Sequence, residues 1–229
     1  LFIFLFISCN TVDPIMEYQQ KLISDEVTGS NIFKLVKNGE VVYQEIVNSG
    51  KLGDKDINDE TIFPIWSMSK PVTTVAMMIL YDKGEFELND NLSDYLPEYK
   101  NMMCQNGDLI ESCKNQIKII DLLTHRSGLG YYSDVYGTNN FISEPSPLFK
   151  YMNTYFYDDL NEFSLAVSKQ TLEFEPGKHY YYGLNQDILG RVIEVITGKT
   201  FYEFLVENLF NPLGMSNTKF HLTLDAVSY

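Results

Sequence analysis

Basic residues are in short supply: 17 Lys and Arg stand against 31 Asp and Glu, a formal net charge of -14. That balance repels a phosphate backbone and excludes nucleic acid as a natural partner. Cysteine and histidine are scarce too, three of each, and His125, His179 and His221 show no metal-ligand spacing. Neither a metal nor a cofactor is expected. There is no Gly-x-Ser-x-Gly elbow, which weighs against an α/β-hydrolase, and no phosphate-loop or dinucleotide fingerprint. No apolar run reaches membrane-spanning length, and no internal repeat or low-complexity tract interrupts the chain. What remains is 229 residues, 45% of them hydrophobic, enough for one large domain or two small ones around a real core.

The most informative stretch runs from Ile62 to Gly84. Val72, Val75, Ala76, Ile79 and Leu80 recur at helical spacing, and Gly84 stands where a left-handed cap would end the helix. The pattern predicts a buried helix beginning near Ser67, with Pro71 early enough that its missing N–H costs no intrahelical bond. Ser67 and Lys70 then share a face, so a hydroxyl and an amine can meet within hydrogen-bond reach. That pairing makes a nucleophile without histidine. Spacing alone does not single it out, because Ser216 and Lys219 repeat it after Pro212-Leu213-Gly214-Met215, ahead of a strand-like run from Lys219 to Thr223.

Around this helix the chain reads as a mixture of helices and hairpins. A partial stripe predicts a helix over Ile15–Ser24, and Asn38-Gly39 between Ile32–Val36 and Val41–Val47 predicts a β-hairpin. Leu88 to Pro97 reads as a turn and a short helix stopped by proline, and Ile117 to His125 as another short helix ended by Ser127-Gly128. Helices are also expected over Leu160–Phe174, over Asn185–Thr197 with Asn185 as its cap, and after the Thr200–Glu203 capping box. The loop from Gly130 to Ser146 is aromatic, and Tyr131 is a candidate substrate-binding residue on a cleft wall.

Leu1 to Ile7 followed by Ser8-Cys9 resembles the end of a bacterial lipoprotein signal. On that reading residues 1–9 are a partial signal peptide, Cys9 is the lipidated residue, and residues 10–229 follow at the cell envelope, tied to a membrane through the lipid. The alternative is a buried N-terminal strand. Cys104 and Cys113 flank the turn signal Asn106-Gly107-Asp108, and in an exported protein they can close a disulfide across a hairpin-like insertion.

Several blocks in order, Ser67-Met68-Ser69-Lys70-Pro71, Leu88 to Pro97, Leu122 to Leu129, Pro176-Gly177, Leu189-Gly190-Arg191-Val192-Ile193-Glu194 and Pro212 to Met215, resemble the serine β-lactamase-related family. That family includes class C β-lactamases, D-alanyl carboxypeptidases and family VIII carboxylesterases, and the resemblance runs from about Ile32 to the last residue. It implies an α+β fold, an antiparallel sheet flanked by helices beside a mainly helical region. It also implies acylation of Ser67, with Lys70 and a tyrosine sharing the proton traffic. Counting eight residues back from Gly190, as in esterase-like members, selects Tyr182, and counting nine selects Tyr181. Literal Tyr-x-Asn at Tyr99 and Tyr151 does not precede that helix. His125 and Arg126 fall in what is a structural turn of the family. Leu184 stands where lactamase-like members carry an asparagine that bonds the substrate amide, which favours an ester or a peptide over a β-lactam. The family's remaining strands and its Lys-Thr-Gly or His-x-Gly motif are expected to be missing from this chain, leaving the fragment inactive and its hairpin poorly backed. The second reading is a non-catalytic, penicillin-binding-like lipoprotein that binds peptidoglycan or a peptide; the third is an unrelated structural domain.

Overall fold

A computed structural model of the chain describes residues 13–131 and 157–220, and the described residues divide into two compact units, one up to residue 64 and one from residue 65. The first unit holds helix α1 (Pro14–Ser24) and strands β1 (Asn31–Lys37) and β2 (Glu40–Val47). Asp13 caps α1 by accepting from the Ile15 N–H at 2.9 Å, and Pro14 occupies the first helical position, where an N–H is dispensable. β1 and β2 pair antiparallel with Asn31 opposite Val47 and Lys37 opposite Glu40. Asn38 and Gly39 lie between them at φ of 54° and 81°. Two successive positive φ values are what a type I′ turn requires, so the Asn-Gly pair sets the hairpin locally. α1 packs on this hairpin, and the Gln19 amide donates to Asn31 Oδ1 at 2.8 Å.

The second unit is mainly helical. A 3₁₀ turn, Trp66–Met68, leads into α2 (Ser69–Asp82). α2 ends in a Schellman arrangement: the Gly84 N–H donates to Tyr81 O and the Glu85 N–H to Leu80 O. Thr73, Ala76, Met77 and Leu80 form its buried face, while Val75 points out, so the stripe is rotated from the one the apolar spacing suggests. Two 3₁₀ turns follow, Leu92–Asp94 and Pro97–Tyr99. Pro97 therefore ends one turn and opens the next.

Strands β3 (Met103–Asn106) and β4 (Leu109–Ser112) form the small hairpin foreseen between the cysteines, and Cys104 is bonded to Cys113 with the Cα atoms 5.1 Å apart. Among the described residues the unit also holds helices α3 (Ile119–Leu123), α4 (Leu160–Val167), α5 (Asn185–Thr197) and α6 (Phe201–Leu205). α4 stops well short of Phe174. Leu172 instead extends the small sheet, its N–H donating to Met103 O and its carbonyl accepting from Gln105 N, both at 2.8 Å. A backbone pairing to a distant strand outcompetes continuation of the helix, a tertiary choice that local periodicity does not contain. The Thr200–Glu203 capping box opens α6 as expected, with a single π-helical turn, Val206–Phe210, after it.

α5 is the centre of this unit. Ile188, Leu189, Val192 and Ile193 are fully buried, and the helix packs against α2, α3, α4 and α6. That buried face is the core itself, while Val195 on the same helix is 40% exposed. The strand-like run from Lys219 lies mostly outside the described residues, and Lys219 and Phe220 are not in a strand.

Candidate active site

Ser67 lies in the 3₁₀ turn just ahead of α2, exposed, with Lys70 in the first turn of the helix on the same side. Trp66, immediately before the serine, takes φ of 46°, a left-handed conformation that a bulky residue adopts at a cost of about 1–2 kcal/mol. Strain of this kind persists where the surrounding structure holds it in place, and here it sits beside a serine aimed at solvent.

Tyr182 comes from the segment that enters α5. Gly183 permits this: a Cβ there would stand 2.2 Å from Leu129 O, so only glycine lets the two backbones run this close. The Tyr182 hydroxyl donates to Ser67 Oγ at 2.7 Å, and Lys70 Nζ donates to the same oxygen at 3.3 Å. Lys70 Nζ also lies 4.6 Å from the centroid of the Tyr182 ring, a cation over a π face. Three residues named from sequence therefore meet at one oxygen. Tyr181, the alternative from the nine-residue count, packs edge-on against Phe174 instead. Tyr131 stands beside the triad with its ring 5.8 Å from that of Tyr182, half-exposed. The rest of the aromatic loop, Tyr132, Tyr136 and Phe141, lies outside the described residues, as does Cys9.

The electrostatics favour ionisation of the tyrosine. Burial disfavours the charged phenol, but the Lys70 hydrogen bond, the Ser67 hydrogen bond, the Lys70 charge and a bond from Tyr131 together outweigh it and hold Tyr182 below the ordinary tyrosine value. Asp187, in the first turn of α5, is pushed upward because the protein packed around it disfavours its charge more than Lys70 favours it. Part of its side chain still meets water, which limits that rise.

His125 lies in a turn, as the sequence reading has it, whereas Asn185 takes a place that differs from that reading. His125 has φ of 55° just after α3, and its ring stacks on Tyr182 at 5.0 Å between centroids and 25° between planes. It does belong to a turn, but the turn delivers it under the tyrosine. Asn185 does not cap α5, because Leu184 occupies that position without a side-chain cap bond. The Asn185 amide is instead taken by Ser127 and His125: Ser127 Oγ donates to its Oδ1 at 2.5 Å, and its Nδ2 lies 3.0 Å from His125 Nδ1. The residues of this trio are up to 60 positions apart, and no spacing rule links them. Leu184, fully buried, turns into the core and offers no polar group to a substrate amide. Among the described residues, no cluster of His, Cys, Asp and Glu could hold a metal ion.

A β-lactamase family model matches residues 24–228. Protein Rv1367c of Mycobacterium tuberculosis is 30% identical over 198 residues, covering 84% of this chain and 46% of that protein. Esterase EstB of Burkholderia gladioli is 27% identical over 192 residues, covering 81% and 45%. The chain thus spans about half the length of the curated relatives it matches. Among solved structures, that of EstCE1, a hydrolase with promiscuous acyltransferase activity, superposes with a TM-score of 0.70 at 23% identity, over 87% of this chain and half of that one. A likeness this extensive in fold, together with the family match over most of the sequence, places the chain: it belongs to the β-lactamase family of serine hydrolases, whose members include esterases as well as β-lactamases.

Proposed function

We propose that the whole protein is an exported serine hydrolase that forms an acyl-enzyme on Ser67 and acts on esters or peptide-like amides more readily than on β-lactams. The observation that carries this reading is the convergence of Tyr182 Oη at 2.7 Å and Lys70 Nζ at 3.3 Å on Ser67 Oγ. A purely binding module has no need of a nucleophile, a phenol with a lowered pKa and an amine meeting at one atom.

The geometry supports the tyrosine as the base. In its ionised form Tyr182 accepts the Ser67 proton along the 2.7 Å contact as the serine oxygen attacks the substrate carbonyl, while the Lys70 ammonium offsets the phenolate charge. The proton then passes to the leaving alkoxide or amine, and water enters by the reverse route to release the acid. The Ser67 N–H lies at the N-terminal end of the α2 element, where positive potential suits a developing oxyanion. Because Tyr182 must be ionised to act, hydrolysis rises with pH up to its lowered pKa and then levels off.

Leu184 supports esters ahead of lactams, since a substrate amide finds no side-chain partner at that position. Esterase EstB among the relatives agrees with this preference. In the same reading Cys9 carries the lipid that anchors the protein at the cell envelope, and the partners are small-molecule or peptide substrates. Palmitate incorporation that disappears in Cys9→Ser checks the anchor.

A fluorophosphonate probe on the full-length protein tests the chemistry. Labelling of the wild type but not of Ser67→Ala is the expected result, with a short-chain nitrophenyl ester turned over faster than a cephalosporin. Equal absence of label in both proteins favours the alternative, a penicillin-binding-like protein that only binds peptidoglycan or a peptide.

A further inference from the structure

We propose that His125 is a positioning residue for Tyr182: a neutral imidazole, held in its Nε2–H tautomer by the buried Ser127–Asn185 pair, on which the tyrosine ring is stacked. The proposal rests on the hydrolase reading above only for its effect on turnover; the tautomer and the stack stand on geometry alone.

The lock follows from counting protons. Ser127 and Asn185 are both fully buried, so neither can exchange its partner for water. Ser127 Oγ accepts from the Leu129 N–H at 3.0 Å and has one proton to give, which goes to Asn185 Oδ1 at 2.5 Å. With its oxygen engaged there, the amide presents its NH₂ to His125 Nδ1 at 3.0 Å. An NH₂ group only donates, so Nδ1 must carry a lone pair and the proton sits on Nε2. The ring is fixed from other sides as well. The His125 carbonyl accepts from the Tyr181 N–H at 2.8 Å, and the imidazole lies between Tyr180, edge-on at 5.9 Å, and Tyr182, stacked at 5.0 Å.

Protonation would set one N–H of His125 against the N–H of Asn185 and force the ring or the amide to turn, removing the surface under Tyr182. While Tyr182 is un-ionised, the groups facing the imidazole all resist its charging or are neutral to it. Lys70 comes from α2, the phenols of Tyr180 and Tyr182 precede α5, and the Asn185 amide lies on α5; Arg126, next in sequence, turns to the Gly177 carbonyl. Burial first, and the Lys70 charge second, lower the His125 pKa from its ordinary value. Since the folded-state value is depressed, the unfolded chain binds more protons between that value and 6.5, so this group's contribution to stability declines as pH falls through the window, and the stack itself is lost only when pH reaches the folded-state value.

Replacing Asn185 by Asp reverses the polarity with little change of shape. A carboxylate facing Nδ1 accepts, so the variant should move the proton to Nδ1 and raise the His125 pKa above 6.5. The test uses the full-length protein. Side-chain ¹⁵N spectra, with the His125 signal assigned from His125→Gln, should show an unprotonated Nδ1 in the wild type and titration below 6.5, with both properties reversed in Asn185→Asp. Tyrosine ¹³Cζ titration should place Tyr182 below 10 in the wild type and return it toward 10 in His125→Gln, because the phenol loses its position over Lys70. Turnover of the nitrophenyl ester should show a fall in kcat of about 10- to 100-fold in both variants with little change in KM, as a displaced reacting group demands. In Asn185→Asp the acid limb should also shift to higher pH. A wild-type Nδ1–H tautomer, a His125 pKa at or above 6.5, or a Tyr182 titration unchanged in His125→Gln would each overturn the proposal. These spectra read out whether or not the protein hydrolyses anything, so failure of the fluorophosphonate label counts against the hydrolase reading and not against the lock.

Discussion

The two compact units differ in how far they bury what they are built from. In residues 65–220 a cluster of more than twenty apolar side chains is buried, most of it at or near zero exposure, and α5 supplies four of the fully buried members. Among the described residues of the hairpin unit, only Gln19 and Ile23 are buried, while Leu35, Val36, Val41 and Val42 are each about half exposed. Both units follow strong local signals, an amphipathic stripe in one and an Asn-Gly hairpin in the other. A local signal is thus enough to form an element, but only mutual coverage of apolar faces makes that element carry stability, and a two-stranded hairpin by itself is marginal in water. The residues that meet at Ser67 all come from the well-buried unit, where their positions are held within the narrow tolerance that proton transfer needs.

The largest expected effect lies at that meeting point. Tyr182→Phe keeps the ring that stacks on His125 but removes the hydroxyl at Ser67 Oγ, so kcat/KM for the nitrophenyl ester should fall ~10²–10⁴-fold with the thermal midpoint nearly unchanged. Next in size is the core of the same unit. Leu189→Ala, in the middle of α5, should cost about 2–5 kcal/mol in urea unfolding, because the tightly packed surroundings cannot collapse on the void. A smaller loss, about 2–3 kcal/mol by the loop-entropy relation, is expected when Cys104 and Cys113 are both replaced by serine, since their bridge closes a loop of nine positions. The smallest belongs to the hairpin: Val42→Thr, at a half-exposed strand position, should stay within about 0.5 kcal/mol. If Val42→Thr proved as damaging as Leu189→Ala, the contrast between the two units would be wrong.

The legible part of the site was the part written in short spacing. Ser67 and Lys70 are three residues apart, and Tyr182 lies eight residues before Gly190, so each is tied to a helix whose face or start the sequence marks. His125, Ser127 and Asn185 were each seen, but as a turn, a helix stop and a helix cap. Their joint role required α3 to lie against α5, a contact between distant segments. The same limit explains why α4 ends at Val167: Leu172 finds both its backbone partners on β3, at Met103 and Gln105, rather than in its own segment.

By itself, the sequence determined the elements with a strong local cause: the Asn38-Gly39 hairpin, the Thr200–Glu203 capping box, the span of α5 to its left-handed Gly198, and the pairing of the two cysteines across a turn. Each depends on backbone preferences or on side chains within a few residues of one another. Tertiary structure decided which face of α2 is buried, which tyrosine reaches Ser67, and which side chain faces His125 Nδ1. Those outcomes depend on groups drawn from separate helices, whose distances are set only when α5 packs against α2 and α3. Hydrogen bonding and packing act through space, and a one-dimensional pattern records only the neighbours along the chain.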